Sequence, residues 1–478
     1  MAILHGSLPG AACLNTPVYR LSNDILLDIL LLDLNRTFAF ERYKRLSQLM
    51  LVCSRWEALH VVPLLWAHVW TGQSLSVMKN LLFKSKDALL DIVYAPTTWD
   101  LQSQWPVRME TNDLLLANAH RWRSLEYDGY SDPTSIDKDF IDLHHLTVPN
   151  LNSIALHSFN DSLFFKPPIA TRLRHISLAG CSTPWDSCLF SGLETLRLSG
   201  LNEGGPPVGQ LINFLRTSPG LVTLSLHSLE LRGTLSSHAD IITLQSLETF
   251  EIGYTTCRVV GDFLAVLRIP NCTRFLLTYK DLPDNKLFCR SAAHLFPTLR
   301  AIVASCDYTG IEFHNVHIII TSQKRDKSML EIQTSTPSTL DDWPISMSEG
   351  LRNLLGSCSI EKLTLSQRVS DSYTPNRLGR VLELLSEPRD VDGITLWLLP
   401  NLKILEIVQG ELAERERLIN MVRNRYVDRE RLETYKPPAK LQSLKIKGTG
   451  LSSNWVVING ILGDRVVGYS RPSSDLES

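Results

Sequence analysis

The feature that most constrains this chain is a recurring hexad, L-x-x-L-x-L, whose first position is sometimes Trp, Cys or Ile. It runs as Trp122-Leu125-Tyr127, Leu151-Ile154-Leu156, Leu173-Ile176-Leu178, Leu193-Leu196-Leu198 and Leu221-Leu224-Leu226. It continues as Leu247-Phe250-Ile252, Cys272-Phe275-Leu277 and Leu299-Ile302-Ala304. Their starts are separated by 29, 22, 20, 28, 26, 25 and 27 residues. Three later copies begin at Ile360, Leu402 and Leu441, after wider gaps of 61, 42 and 39. Positions four and six fall on one side of an extended strand, and position one feeds the same side. A single such strand cannot bury its apolar face, whereas stacked copies form a parallel sheet over one continuous core. That pattern favours a repeat array over the roughly three separate domains that 478 residues would otherwise suggest.

Between the hexads, Val208-Leu211-Ile212-Leu215, Phe263-Leu264-Leu267 and Leu378-Val381-Leu382-Leu385 carry the 3.6-residue apolar period of helices. Pro149, Pro219, Pro270, Pro297 and Pro400 each stand two residues before a hexad. Proline cannot continue a helix and favours extended geometry in the residue before it, so these positions predict helix ends that release strands. Residues 311–345 break the pattern, with two strands expected at 316–321 and 329–333 around a polar turn. Residues 411–433 read as a charged helix whose six arginines are interleaved with six acids, a solvated face. The expected organisation is a flexible segment at 1–17, a helical module at 18–75, the array at 76–465 and a frayed tail at 466–478.

Composition narrows the function. Lys plus Arg number 48 and Asp plus Glu 50, so no broad electrostatic footprint for nucleic acid or an anionic membrane is expected. The densest apolar run, 25–34, is cut by Asp28 and Asp33 and falls far short of a membrane span. Residues 1–19 lack Lys, Arg and a long apolar core, unlike a secretory signal. The nine cysteines are scattered with no C-x-x-C pair, so neither a disulfide framework nor a zinc site is indicated. Together these place the chain in the cytoplasm, the nucleus or both. No nucleophile-elbow, dinucleotide, phosphate-loop or zinc-protease motif occurs, and His144-His145 and His314/His317 lack a third ligand. No catalytic residue, metal or cofactor is expected.

The helical module has its own wording. Ser22-Asn23-Asp24 offers capping side chains before an apolar helix, with further helices expected near 41–51 and 54–60. It opens Leu21-Ser22-Asn23-Asp24-Ile25-Leu26, continues Leu49-Met50-Leu51-Val52-Cys53-Ser54-Arg55-Trp56, and closes Pro63-Leu64-Leu65-Trp66. This stretch resembles the F-box, with Ser22 where the family usually has proline and a longer link, 35–45, after the first helix. Downstream leucine-rich repeats are its usual companion, and the pairing looks most like the large F-box-like families of mushroom-forming fungi. The resemblance implies an α/β chain: a three-helix bundle followed by an irregular leucine-rich-repeat solenoid, a parallel sheet with helices on the convex side. It further implies a non-catalytic substrate receptor of an SCF-type cullin-RING ubiquitin ligase. Its bundle would bind a Skp-type linker protein, and through it a cullin, while the repeats hold a protein substrate. The residues matching the family pattern are Leu21, Ile25, Leu26, Ile29, Val52, Cys53, Trp56, Leu65 and Trp66. The competing expectation is a repeat scaffold without a ligase role, its N-terminal helices capping the array.

If positions four and six point inward, positions three, five and seven line the opposite face. That face is expected to be rich in small hydroxyl residues, with His175, Arg197, His227 and Arg274 forming a weakly basic track beside Glu251. These five are the candidate substrate contacts.

Overall fold

The structure is a computed structural model. It describes residues 20–94, 105–129, 141–158, 163–185, 188–201, 204–229, 240–255, 266–279, 308–313, 317–324, 327–335, 362–367, 377–386, 389–391, 394–397, 401–408, 415–426 and 441–447, with 233, 263–264 and 399. The hexad at Leu299, Pro297, Pro400 and the segments 1–19 and 466–478 lie outside them. The chain is mixed α/β, with a large parallel sheet and several helices, and divides into two compact units, Met1–Thr183 and Pro184–Ser478. Residue 75, the expected edge of the helical module, lies inside the first unit. Among the described residues no helix is long and apolar enough to cross a membrane.

The first unit opens with three helices, α1 (Asn23–Asn35), α2 (Ala39–Met50) and α3 (Ser54–Ala58), then 3-10 turns over Leu59–Val61 and Pro63–Trp66. Five parallel strands follow, paired in chain order: β1 (His68–Trp70), β2 (Leu90–Tyr94), β3 (Trp122–Gly129), β4 (Ser153–Ser158) and β5 (His175–Ala179). Helices α4 (Leu75–Ser85) and α5 (Trp105–Ala117) occupy the first two connections. Hexad position four runs unbroken across the register, Val69↔Ile92↔Leu125↔Ile154↔Ile176, and all five side chains are buried.

The second unit repeats the rule. Its first four ladder strands are β6 (Thr195–Leu201), β7 (Thr223–Leu229), β8 (Thr249–Thr255) and β9 (Arg274–Tyr279), with Leu196↔Leu224↔Phe250↔Phe275 in one buried row. Next comes an excursion of three strands, β10 (Tyr308–Phe313), β11 (His317–Lys324) and β12 (Lys327–Ser335), in the sheet order β9-β12-β11-β10. Strands β11 and β12 form an antiparallel hairpin, and β10 is antiparallel to β11. Because the excursion has an odd number of strands, the parallel sense resumes at β13 (Lys362–Gln367), β14 (Ile404–Val408) and β15 (Ser443–Lys447). Helices α6 (Val208–Thr217), α7 (Arg377–Ser386) and α8 (Arg415–Tyr426) belong to this unit.

The two shortest hexad gaps hold short strands, Leu163–Lys166 and Cys181–Ser182, paired in parallel. One expectation is corrected, that of the prolines. Pro219 follows helix α6, but among the described residues the element last before Pro149 is the short strand Ile141–Asp142, and the short strand Leu267–Arg268 stands between helical Phe263–Leu264 and Pro270. Each instead occupies the second place of a turn, closed when the N–H of Leu151, Leu221 or Cys272 donates to the carbonyl three residues back (3.1, 3.1 and 3.2 Å). Proline's fixed φ suits that place. The residue after two of them, Asn150 and Asn271, stitches the turn to the preceding repeat, donating to the carbonyls of His120 and Gln245 (2.8 Å each).

Buried arginines fasten two of the helices. Arg121 donates to the Ala88 carbonyl and to Ser85 Oγ (2.7 Å) at the end of α4, and Arg425 on α8 donates to the carbonyl of Leu385 (3.0 Å) near the end of α7. Carbonyls at a helix C-terminus lack intrahelical donors, and a cation there also meets the negative end of the helix dipole. Position four carries the core. Leu224→Ala should cost about 2–5 kcal/mol by transfer loss plus a cavity, while Thr223→Ala beside it should stay within about 0.5 kcal/mol. Urea unfolding midpoints of the two variants compare the positions directly.

Candidate interaction surfaces

Helix α1 is apolar on two sides, and packing divides them. Leu26, Leu30 and Leu34 are buried, and with Leu46 and Leu49 of α2 they belong to the module's core. Ile25, Ile29 and Leu32 are 48%, 42% and 56% exposed, spaced i, i+4, i+7 along one stripe. At the corner between α2 and α3, Leu51 and Val52 are 86% and 61% exposed. Ser22 caps α1, its hydroxyl accepting from the Ile25 N–H (3.3 Å). The long link after α1 is fastened back onto it: Arg42 donates to the Leu34 carbonyl (3.1 Å) and to Asn35 (3.0 Å), and Arg45 pairs with Asp33 (2.8 Å). Arg45 holds the Asp33 carboxyl below the usual carboxylate range.

The nine family-matching residues therefore separate. Ile25, Ile29 and Val52 are exposed; Leu21, Cys53 and Trp56 are half-buried; Leu26, Leu65 and Trp66 are buried. Trp66 is used internally: its indole N–H donates to the His60 carbonyl (2.7 Å) and Lys84 lies 3.9 Å over its ring. Arg55, inside the Cys53–Trp56 element, donates to the Leu21 carbonyl and to Asn23 Oδ1 (3.1 Å), locking α3 to the start of α1. Sequence reasoning missed Leu32, Leu51 and Arg55. Leu32 was detectable as the i+7 partner of Ile25; Arg55 was not, because its partners are a backbone carbonyl and the first residue of α1, more than 30 residues away.

The ladder face carries the second surface. His175 lies on β5 in the first unit, in register with Ser153. Arg197, His227, Glu251 and Arg274 lie in the second unit, on β6 to β9. Three of these meet. The Glu251 carboxylate accepts from Ser225 Oγ (3.1 Å) and stands 3.6 Å from His227 Nε2 and 3.4 Å from Arg274 Nη1. Register explains the meeting: Ser225 is directly opposite Glu251, and the other two sit one row away on β7 and β9. His227, 3.6 Å away, holds the Glu251 carboxyl below its ordinary value, against the upward push of burial, with Ser225 and Arg274 adding to it. The expected basic track is thus partly neutralised from within. Arg197 stays exposed, with no acid paired to it among the described residues.

A polar row crosses the first unit as well. His68↔Asp91↔Ser124 are in register; Asp91 accepts from Ser124 Oγ (2.7 Å) and Arg123 Nε (3.0 Å). Burial, with Arg42 nearby, lowers the His68 pKa to about 4. The serine bonds the aspartate and not the histidine, so this is not a nucleophile–base pair. Among the described residues no group of three His, Cys, Asp or Glu side chains could hold a metal ion.

The depressed Glu251 titration has a sign that can be checked. A carboxylate whose folded pKa lies below its unfolded value near 4.5 adds stability above that pH and loses it as pH falls through the folded pKa. Urea midpoints at pH 5 and pH 3 should fall further for the natural chain than for Glu251→Gln. Compared with family models, with curated proteins and with solved structures, the chain finds no match.

Proposed function

We propose that this chain is the substrate-receptor subunit of an SCF-type cullin-RING ubiquitin ligase. In this reading α1–α3 are an F-box-like bundle that binds a Skp-type linker, and the strands with their return segments are an irregular leucine-rich-repeat solenoid that holds a protein substrate. The chain itself makes and breaks no bond. It raises the effective concentration of a substrate lysine beside the ubiquitin-loaded enzyme.

The observation that carries the reading is the exposed apolar stripe of Ile25, Ile29 and Leu32 with the Leu51–Val52 corner. Large apolar side chains grouped on one small module mark a protein contact, and three of these five coincide with the family-matching positions. Burying one such side chain contributes about 1.5–3 kcal/mol, so a charge there should weaken capture of a Skp-type linker at least tenfold. The test is affinity capture by the intact chain, by Ile25→Asp and by Val52→Asp, with circular dichroism showing that the variants keep their fold. Failure of the intact chain to retain the linker, where a known F-box protein retains it, would sink the proposal.

A specific observation favours the scaffold alternative. The module runs directly into the first strand, with Leu65, Trp66, Ala67 and Val69 all buried and the Asp91 N–H donating to the Ala67 carbonyl (2.9 Å). That is what a cap on the array requires. The two readings part at the exposed residues: a pure cap tolerates Asp at Ile25 and Val52 with no change in any partner.

A further inference from the structure

If the ladder face holds a partner, its chemistry narrows what that partner can be. Arg197 on β6 and Arg274 on β9 stand at the two ends of four consecutive parallel strands in continuous register. Three strand spacings of ~4.8 Å and a two-residue step along the strand set the two backbone positions about 16 Å apart, within reach of acids about 14 Å apart because both guanidinium stems are long. Arg197 is exposed and unpaired with any acid among the described residues. Arg274 keeps 46% of its side chain exposed although one nitrogen faces Glu251. Between them the position-three row is Thr195, Thr223 and Thr249. The acid of this patch, Glu251, is only 18% exposed and already engaged by Ser225, His227 and Arg274. The patch therefore offers guanidinium and hydroxyl donors outward and keeps its carboxylate occupied.

We infer that the face from β6 to β9 takes an extended acidic segment of a partner protein, with one carboxylate on Arg197 and a second on Arg274. An extended chain rises ~3.4 Å per residue and alternates its sides, so acids at i and i+4 span about 14 Å and point the same way. Adjacent acids do neither. Guanidinium groups suit the contact because they bind carboxylates through paired N–H donors. The inference rests on the substrate-receptor reading for its biological meaning, but the contact itself needs no linker.

The experiment is fluorescence anisotropy of the full chain with three labelled decapeptides of otherwise Ser, Thr and Gln. One carries Glu at i and i+4, one Glu at i and i+1, and one Gln at i and i+4. The i,i+4 acid peptide should bind tightest at low salt. It should weaken about fivefold with Arg197→Ala, the scale of an exposed ion pair, and lose its advantage in 1 M salt, where the screening length is ~3 Å. Arg197→Ala carries the test because that side chain holds no other group in place; Arg274→Ala is the second variant. No binding at low salt, equal binding of the Gln peptide, or unchanged affinity in both variants overturns the inference. Linker capture by the same preparation separates the two ideas. Linker retained without peptide binding sinks this inference alone, and peptide bound without linker sinks the receptor reading alone.

Discussion

A strand of five or six residues that turns two large apolar side chains inward cannot bury them by itself. Everything else in this chain answers that constraint. Each strand must lie parallel and in register with the next, so that position four meets position four, as Leu196, Leu224, Phe250 and Phe275 do. Register in turn fixes where every outward side chain stands. A glutamate on one strand, a serine opposite it and an arginine on the strand beyond become neighbours although some 25 residues separate each from the next. The outward polar cluster is a by-product of the core's alignment.

How much of this was legible depended on how many strands a feature spans. The strands from Trp122 onward announce themselves because their inward residues are Leu, Ile or Phe at two fixed offsets. Strands β1 and β2 do not. The first offers Val69 alone, and in the second the Leu90 pairing with Trp122 is offset by one residue against the rest of the strand. The sequence sets Glu251 beside the track of His175, Arg197, His227 and Arg274, but only cross-strand register reveals that its carboxylate reaches both His227 and Arg274.

In the helical module the helices are legible, but which side of α1 faces outward is not, for a different reason. Eight of the thirteen residues of α1 are Leu or Ile, so no apolar period stands out, and Ile25 cannot be told from Leu26 by sequence. Packing makes the distinction: one is 48% exposed and the other 1%. The same packing removes Trp66 from the set of available contacts, since a tryptophan whose ring is covered and whose N–H is bonded has nothing left to offer a partner. Ser22 shows the converse case. It differs from the proline of the pattern this stretch resembles, yet its hydroxyl caps α1.

The β10–β12 excursion has a consequence for how the chain is built. Along most of the ladder each strand's partner is the next one to leave the ribosome, so the sheet can grow outward in step with synthesis. At β9 that order fails, because its neighbour is β12, which begins 48 residues after β9 ends at Tyr279. Until Lys327–Ser335 exists, β9 has an open hydrogen-bonding edge, and open edges are where chains pair wrongly. Sequence-distant pairing is also slow. The nascent second unit therefore carries a bare edge at β9 until β12 has been made, which makes this junction an opening for wrong pairing.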